Sequence, residues 1–182
     1  MDLYKKVEQF VQESSSKPDR HALRTVFWIK ELYSQADKAM LIAAIAHDIQ
    51  RAFKKDKLDG IRSNKKGFLD EKHIKYHQEK GAEIIGDFLK KQKAEDDLVN
   101  KVKMLVSKHE VGGSKEQNIL KDADSISFFE NNVDYFVEKL SIKVGKKEVR
   151  DKFNWMFERI TSSKAKEIAR VWYEDGMKRL ED

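Results

Sequence analysis

Apolar residues recur at three- and four-residue intervals along most of the chain, and no stretch alternates convincingly with a period of two. That spacing predicts an all-α protein of about eight or nine helices joined by short loops, because a helix lays positions i, i+3, i+4 and i+7 on one face. Leu3, Val7, Phe10 and Val11 form the first stripe, over residues 2–13, and the segment 14–19 with the single proline, Pro18, supplies a stop and a fresh cap. Leu23, Val26, Phe27 and Leu32 form the second stripe, with His21 in its first turns. Residues 38–50 are apolar nearly all round, which predicts the most buried helix, with His47 and Asp48 at its C-terminal end. Residues 51–70 lose the periodicity and hold two Gly and seven Lys or Arg, the pattern of a basic loop or lid.

Helical spacing returns over 71–92 and 97–108, and Val111-Gly112-Gly113-Ser114 then reads as a helix stop followed by a new cap. A further helix carries Ile119, Leu120, Ala123, Ile126 and Phe129, with Asp122 and Asp124 inside it. Residues 133–180 read as three amphipathic helices whose apolar positions include Phe136, Leu140, Phe153, Trp155, Phe157, Ile160, Ile168 and Trp172. With 182 residues one domain over 1–182 is expected. Its C-terminal helices, 141–182, hold no histidine and are expected to pack.

Composition narrows the function classes. Hydrophobic residues at 40% and charged residues at 38% exclude a disordered chain. No apolar run approaches the ~20 residues that cross a bilayer, and the start MDLYKKVEQF lacks a secretory core, so no membrane partner and a cytoplasmic location are expected. There is no cysteine, which removes disulfides, thiolate metal sites and cysteine nucleophiles, and leaves His, Asp and Glu as the metal ligands available. The 37 basic and 32 acidic residues give a net charge of +5. Both signs are mixed along the chain, so nucleic acid is not indicated, whereas a small anionic ligand fits. The C-terminal aromatics could close the core or an interface, which leaves a homo-oligomer open.

Asp48 is the oddity of this pattern. A carboxylate at the end of the most apolar helix is expected to be buried at least in part, and an unpaired buried charge costs several kcal/mol. A divalent cation would neutralise it, with the imidazole of His47 as a second ligand. A neighbouring Arg or Lys would do so too.

His21 in DRHALRTVFWIKEL, His47-Asp48 in LIAAIAHDIQR and Asp124 in DADSISF follow one another in an order and helical setting that resembles the HD superfamily of metal-dependent phosphohydrolases. The resemblance covers about residues 16–140 and implies an all-α domain in which His21, His47, Asp48 and Asp124 bind metal, with Asp122 the competing carboxylate. KYHQEKGAEIIGDFL and LVSKHEV resemble segments that add ligands in some members, so His77 and His109 are candidates for a second metal or for phosphate contact. His73, one turn before His77, is expected at the surface, since Ile74 breaks the zinc-protease pattern.

The implied cofactor is one or two divalent ions (Mn, Fe, Ni, Co, Zn or Mg), and the implied catalytic group is a metal-bound water supported by Asp48. Phosphoryl transfer needs positioning and positive charge. Arg24 and Arg51, one turn after their ligand histidines, and Lys108 are therefore candidate substrate-binding residues, joined by Lys54, Lys55, Lys57, Arg62, Lys65 and Lys66 of the basic loop. The substrate class implied is a nucleotide or related phosphate ester. Positions 51 and 52 are Arg and Ala, where several nucleotidases and alarmone hydrolases of the superfamily carry an acid, which argues against those two activities. A di-iron oxygenase using the same six residues and a non-catalytic nucleotide- or metal-binding module are the alternatives.

Overall fold

Short polar side chains start the helices. In a computed structural model, which describes residues 2–15, 20–53 and 69–181, Asp2 accepts from the Tyr4 N–H and opens α1 (Leu3–Ser14). Asp37 accepts from Met40 at 3.0 Å and opens α3 (Lys38–Ala46). Asp70 accepts from His73 at 2.8 Å and opens α4 (Glu71–Lys91). Ser114 and Gln117 exchange side-chain and backbone bonds in a capping box at the start of α6 (Lys115–Tyr135). Between these lie α2 (Arg20–Leu32) and α5 (Asp96–Val106). After α6 come a π-helical turn (Phe136–Leu140), a four-residue α7 (Ser141–Val144), α8 (Lys146–Glu158) and α9 (Ser163–Arg179), the last capped by Ser162. No strand occurs among the described residues.

The all-round apolar character of α3 follows from its place in the packing, where α1, α2, α5 and α6 all touch it. Residues 39, 40 and 42–46 are buried there, and Val7, Ile29, Ile85, Leu89, Val102 and Leu105 close the core around them. A second core forms where the C-terminal half of α6 meets α8 and α9, around Phe129, Phe153, Met156, Ala165 and Ala169. Trp28 and Leu32 pack against both. Along α6, Leu120 and Ala123 belong to the first core and Ile126 and Phe129 to the second. Asp124 sits between them.

Two boundaries differ from the periodicity. The helix expected over 38–50 ends at Ala46, and a 3-10 turn (Ile49–Phe53) follows. The His47 ring takes the Ala44 carbonyl at 2.7 Å, and that carbonyl is the one the Asp48 N–H would have used to continue the helix. Residues 133–135, expected to open the C-terminal helices, instead finish α6 before the π-helical turn. The basic-loop residues Lys54, Lys55, Lys57, Arg62, Lys65 and Lys66 lie outside the described residues. No helix of the described residues is long and apolar enough to cross a membrane.

Candidate metal centre

Five helices deliver the donors. His21 comes from α2, His47 and Asp48 from the end of α3, His77 from α4, His109 from just past α5 and Asp124 from the middle of α6. Gly81 lets α4 approach, since a Cβ there would lie 3.3 Å from the His47 carbonyl oxygen. Gly112, with φ of 76°, closes the turn after α5 that carries His109, its N–H donating to the Lys108 carbonyl at 2.7 Å.

Two donor groups result. The His21 and His47 Nε2 atoms lie 3.2 Å apart, and Asp124 Oδ1 is 3.0 Å from the first and 3.3 Å from the second. On the other side, Asp48 Oδ1 lies 2.9 Å from His77 Nε2 and 3.8 Å from His109 Nε2. Asp48 belongs to both sets of side chains that could hold an ion, His21–His47–Asp48 and Asp48–His77–His109. His47, His77 and His109 are buried, as is Asp124.

The tautomers follow from the far side of each ring. His47 Nδ1 donates to the Ala44 carbonyl at 2.7 Å, and His109 Nδ1 to the Val106 carbonyl at 2.8 Å. His77 Nδ1 donates to Gln50 Oε1 at 2.9 Å. The Ser127 hydroxyl gives its one hydrogen to the His21 carbonyl at 2.8 Å, so at 2.9 Å it accepts from His21 Nδ1. Every Nδ1 is thus occupied as a donor, and every neutral ring turns its Nε2 lone pair inward. Lone pairs 3.2 Å apart repel unless a proton or a cation lies between them. His109 Nε2 is buried with no hydrogen-bond partner among the described residues. Imidazole and carboxylate donors with their outer nitrogens anchored in this way fit a divalent transition-metal ion.

Electrostatics separates the two groups. Burial pushes the His47 pKa down, but the carboxylates of Asp48 and Asp124 outweigh it and hold it at about 10. Burial wins at His109 and takes it to about 4. Asp48 and Asp124 stay well below the usual carboxylate range despite burial, the first held by Arg51 and His47, the second by Arg159 and His47.

The other sequence candidates fall in different places. Arg51 Nε bonds Asp48 Oδ2 at 2.7 Å. The Arg24 guanidinium is held by both Glu130 carboxylate oxygens at 2.8 Å, and Trp28 donates to the same carboxylate. Lys108 is exposed and His73 half-buried. Asp122 accepts the Thr161 and Ser162 N–H groups at 2.8 Å each, which fixes the turn into α9.

Sequence reasoning passed over Ser127 and Gln50, which orient rings, and also Glu110 and Arg159. Arg159, just past α8, bonds Asp124 and Glu110 through two nitrogens and the Ser125 hydroxyl through Nε at 2.9 Å. Glu110 is also 3.6 Å from Arg51, and despite burial Arg159 holds its pKa down to about 2. The packing role expected of the C-terminal helices is therefore part of what they do. A signal existed for Glu110, an acid following the ligand candidate His109. For Arg159 the signal was weak, a basic residue just past an amphipathic helix that is itself rich in charge.

The family model DUF4202, described as a domain of unknown function, matches residues 5–180. No curated protein matches the chain. A crystal structure described as a predicted HD superfamily hydrolase, from an uncultured Thermotogales bacterium, is 22% identical, covers 97% of this chain and 88% of its own, and superposes with a TM-score of 0.56. That structure and this chain share one fold.

Proposed function

This chain belongs to the DUF4202 family, and we propose that it is a metal-dependent phosphohydrolase acting on a nucleotide or related phosphate ester. The observation that carries the reading is the convergence of four imidazole Nε2 atoms and two carboxylates, each ring locked from behind by a protein acceptor. Among these residues His21, His47, Asp124 and Asp48 would hold one divalent ion, and Asp48, His77 and His109 a second. A bound divalent ion supplies Lewis acidity and lowers the pKa of bound water towards about 7, the chemistry phosphate-ester hydrolysis needs.

The chain's own groups do the rest. Asp48, shared by both donor sets, offers Oδ1 inward while Arg51 holds Oδ2, so the carboxylate cannot rotate away. Arg159 fixes Asp124 and Glu110 as a pair. Arg51, its side chain about half exposed, presents positive charge at the mouth for phosphate oxygens. Hydrolase is also the word in the description of the HD-type structure of matching fold, which supports the reading.

The test is elemental analysis of the purified protein beside the His47→Ala/Asp48→Ala double variant, followed by hydrolysis assays on a panel of nucleotides. One or two equivalents of transition metal and hydrolysis, both lost in the variant, are expected. Absence of metal after Mn or Ni reconstitution would overturn the reading, and nucleotide binding without turnover would replace it by a binding module.

A further inference from the structure

Glu110 follows His109 in the turn after α5 and has 5% of its surface exposed. Its main chain is tied on both sides. The N–H donates to Gln78 Oε1 at 2.9 Å, from the residue beside His77 on α4, and the carbonyl accepts from Arg159 at 3.1 Å. The side chain then meets two guanidinium groups, with Oε2 against Arg159 and Oε1 3.6 Å from Arg51. Oε1 also lies 3.9 Å from His109 Nε2.

Each arginine grips a second carboxylate. Arg51 holds Asp48 Oδ2 at 2.7 Å and Arg159 holds Asp124 Oδ2, and in both carboxylates the remaining Oδ1 is the oxygen turned to imidazole Nε2 atoms. Asp48, Arg51, Glu110, Arg159 and Asp124 therefore form one line of alternating charges that connects the two donor groups. Glu110 is its middle member. Unlike Asp48, it belongs to neither set of side chains among the described residues that could hold an ion. Asp48 and Asp124 already offer one carboxylate to each arginine, and burying a third charge is costly. What the third carboxylate adds is geometric: with an acceptor on either side, each planar fork is held in one orientation and does not pivot about a single contact.

We propose that Glu110 is a positioning residue of the metal centre, setting through Arg51 and Arg159 the angle at which Asp48 and Asp124 present Oδ1 to an ion. This rests on the metal-dependent reading and deepens it, because it gives the turn after α5 a second task besides carrying His109. Reach matters more than charge in such a role. Glu110→Asp keeps the charge but draws the carboxylate back by one methylene, so it no longer meets both guanidinium groups.

The probe is Mn2+ added to the metal-free protein, with affinity for the first equivalent read by chelator competition and the melting temperature read without metal. That equivalent uses Asp48 whichever donor set it enters. Glu110→Asp is expected to weaken it about tenfold or more while the metal-free melting temperature stays within a few degrees of the parent. Parent-like affinity in Glu110→Asp would overturn the proposal and leave the hydrolase reading standing, since charge alone would then suffice. A parent chain that binds no Mn2+ would overturn both. If Glu110→Asp melts lower without metal, Glu110→Gln measured alone and on an Arg51→Lys background decides. Arg51→Lys keeps a cation and loses the fork, so the loss caused by Glu110→Gln should be smaller on that background, and equal losses would overturn the proposal.

Discussion

The two donor groups that share Asp48 are built alike and surrounded differently. In each, a histidine at a helix end bends back onto the carbonyl three residues before it, His47 on Ala44 and His109 on Val106. Around His21 and His47, however, Asp124 closes the gap between the rings, and Arg159 holds its other oxygen. Around His77 and His109, Asp48 reaches His77 at 2.9 Å and His109 at 3.8 Å, and Glu110, itself held by Arg159, lies 3.9 Å from His109. Carboxylates hold the His47 pKa up at about 10, whereas burial takes that of His109 down to about 4, although the two rings have the same chemistry. Electrostatic environment, more than ligand type, distinguishes the two halves.

The strongest way to break this comparison is to remove what the halves share. Asp48→Ala should abolish bound metal in both, read as equivalents by elemental analysis, whereas His109→Ala should lose at most the second equivalent. Equal metal content in His109→Ala and the parent would reduce the centre to one ion at His21, His47 and Asp124. Next in size is Arg159→Met, which leaves Asp124 and Glu110 buried without their cation. A loss of about 3–5 kcal/mol is expected in denaturant unfolding, and an unchanged midpoint would mean that the pairing is not stabilising.

Smaller effects sharpen the contrast. Ser127→Ala frees the back of His21 and Gln50→Ala the back of His77, so each should weaken metal affinity about 10–100-fold in its own half and leave the other unchanged. A chelator competition that finds both halves weakened by either variant would mean they act as one unit. The mildest test is pH. Below about 10 His47 carries a proton that an incoming ion must expel, so affinity in the first half should rise up to about tenfold per pH unit towards 10 and then level off. His109 is neutral above about 4, so its half should lack that slope at neutral pH. Titration calorimetry in buffers of different ionisation enthalpy counts the protons released.

Much of this was legible in the residues. The 3.6-residue stripes located the helices because each helix has one core to face, and the all-apolar run at 38–46 announced the helix that has neighbours on four sides. The histidines and Asp48 stood out as polar groups in or beside apolar helices. Ser127 and Gln50 did not stand out, because a hydroxyl or an amide becomes functional only through what the fold sets against it. Arg159 lies 35 residues from Asp124 in the chain, and no local pattern encodes a contact across that distance. Arg24, read from helical register alone, faces Glu130 because the tight packing of α2 along α6 brings that carboxylate within reach.

The bent-back rings of His47 and His109 have one more consequence. Each imidazole is at once a donor to the centre and the plug on the last turn of a helix, and α3 is the helix around which the larger core assembles. Under the proposed function, occupancy of the centre is then thermodynamically linked to cohesion of that core. Free ion at a hundred times its dissociation constant would add about 2.7 kcal/mol to the folded state, making the surrounding ion supply a setting on the fraction of chains that is folded.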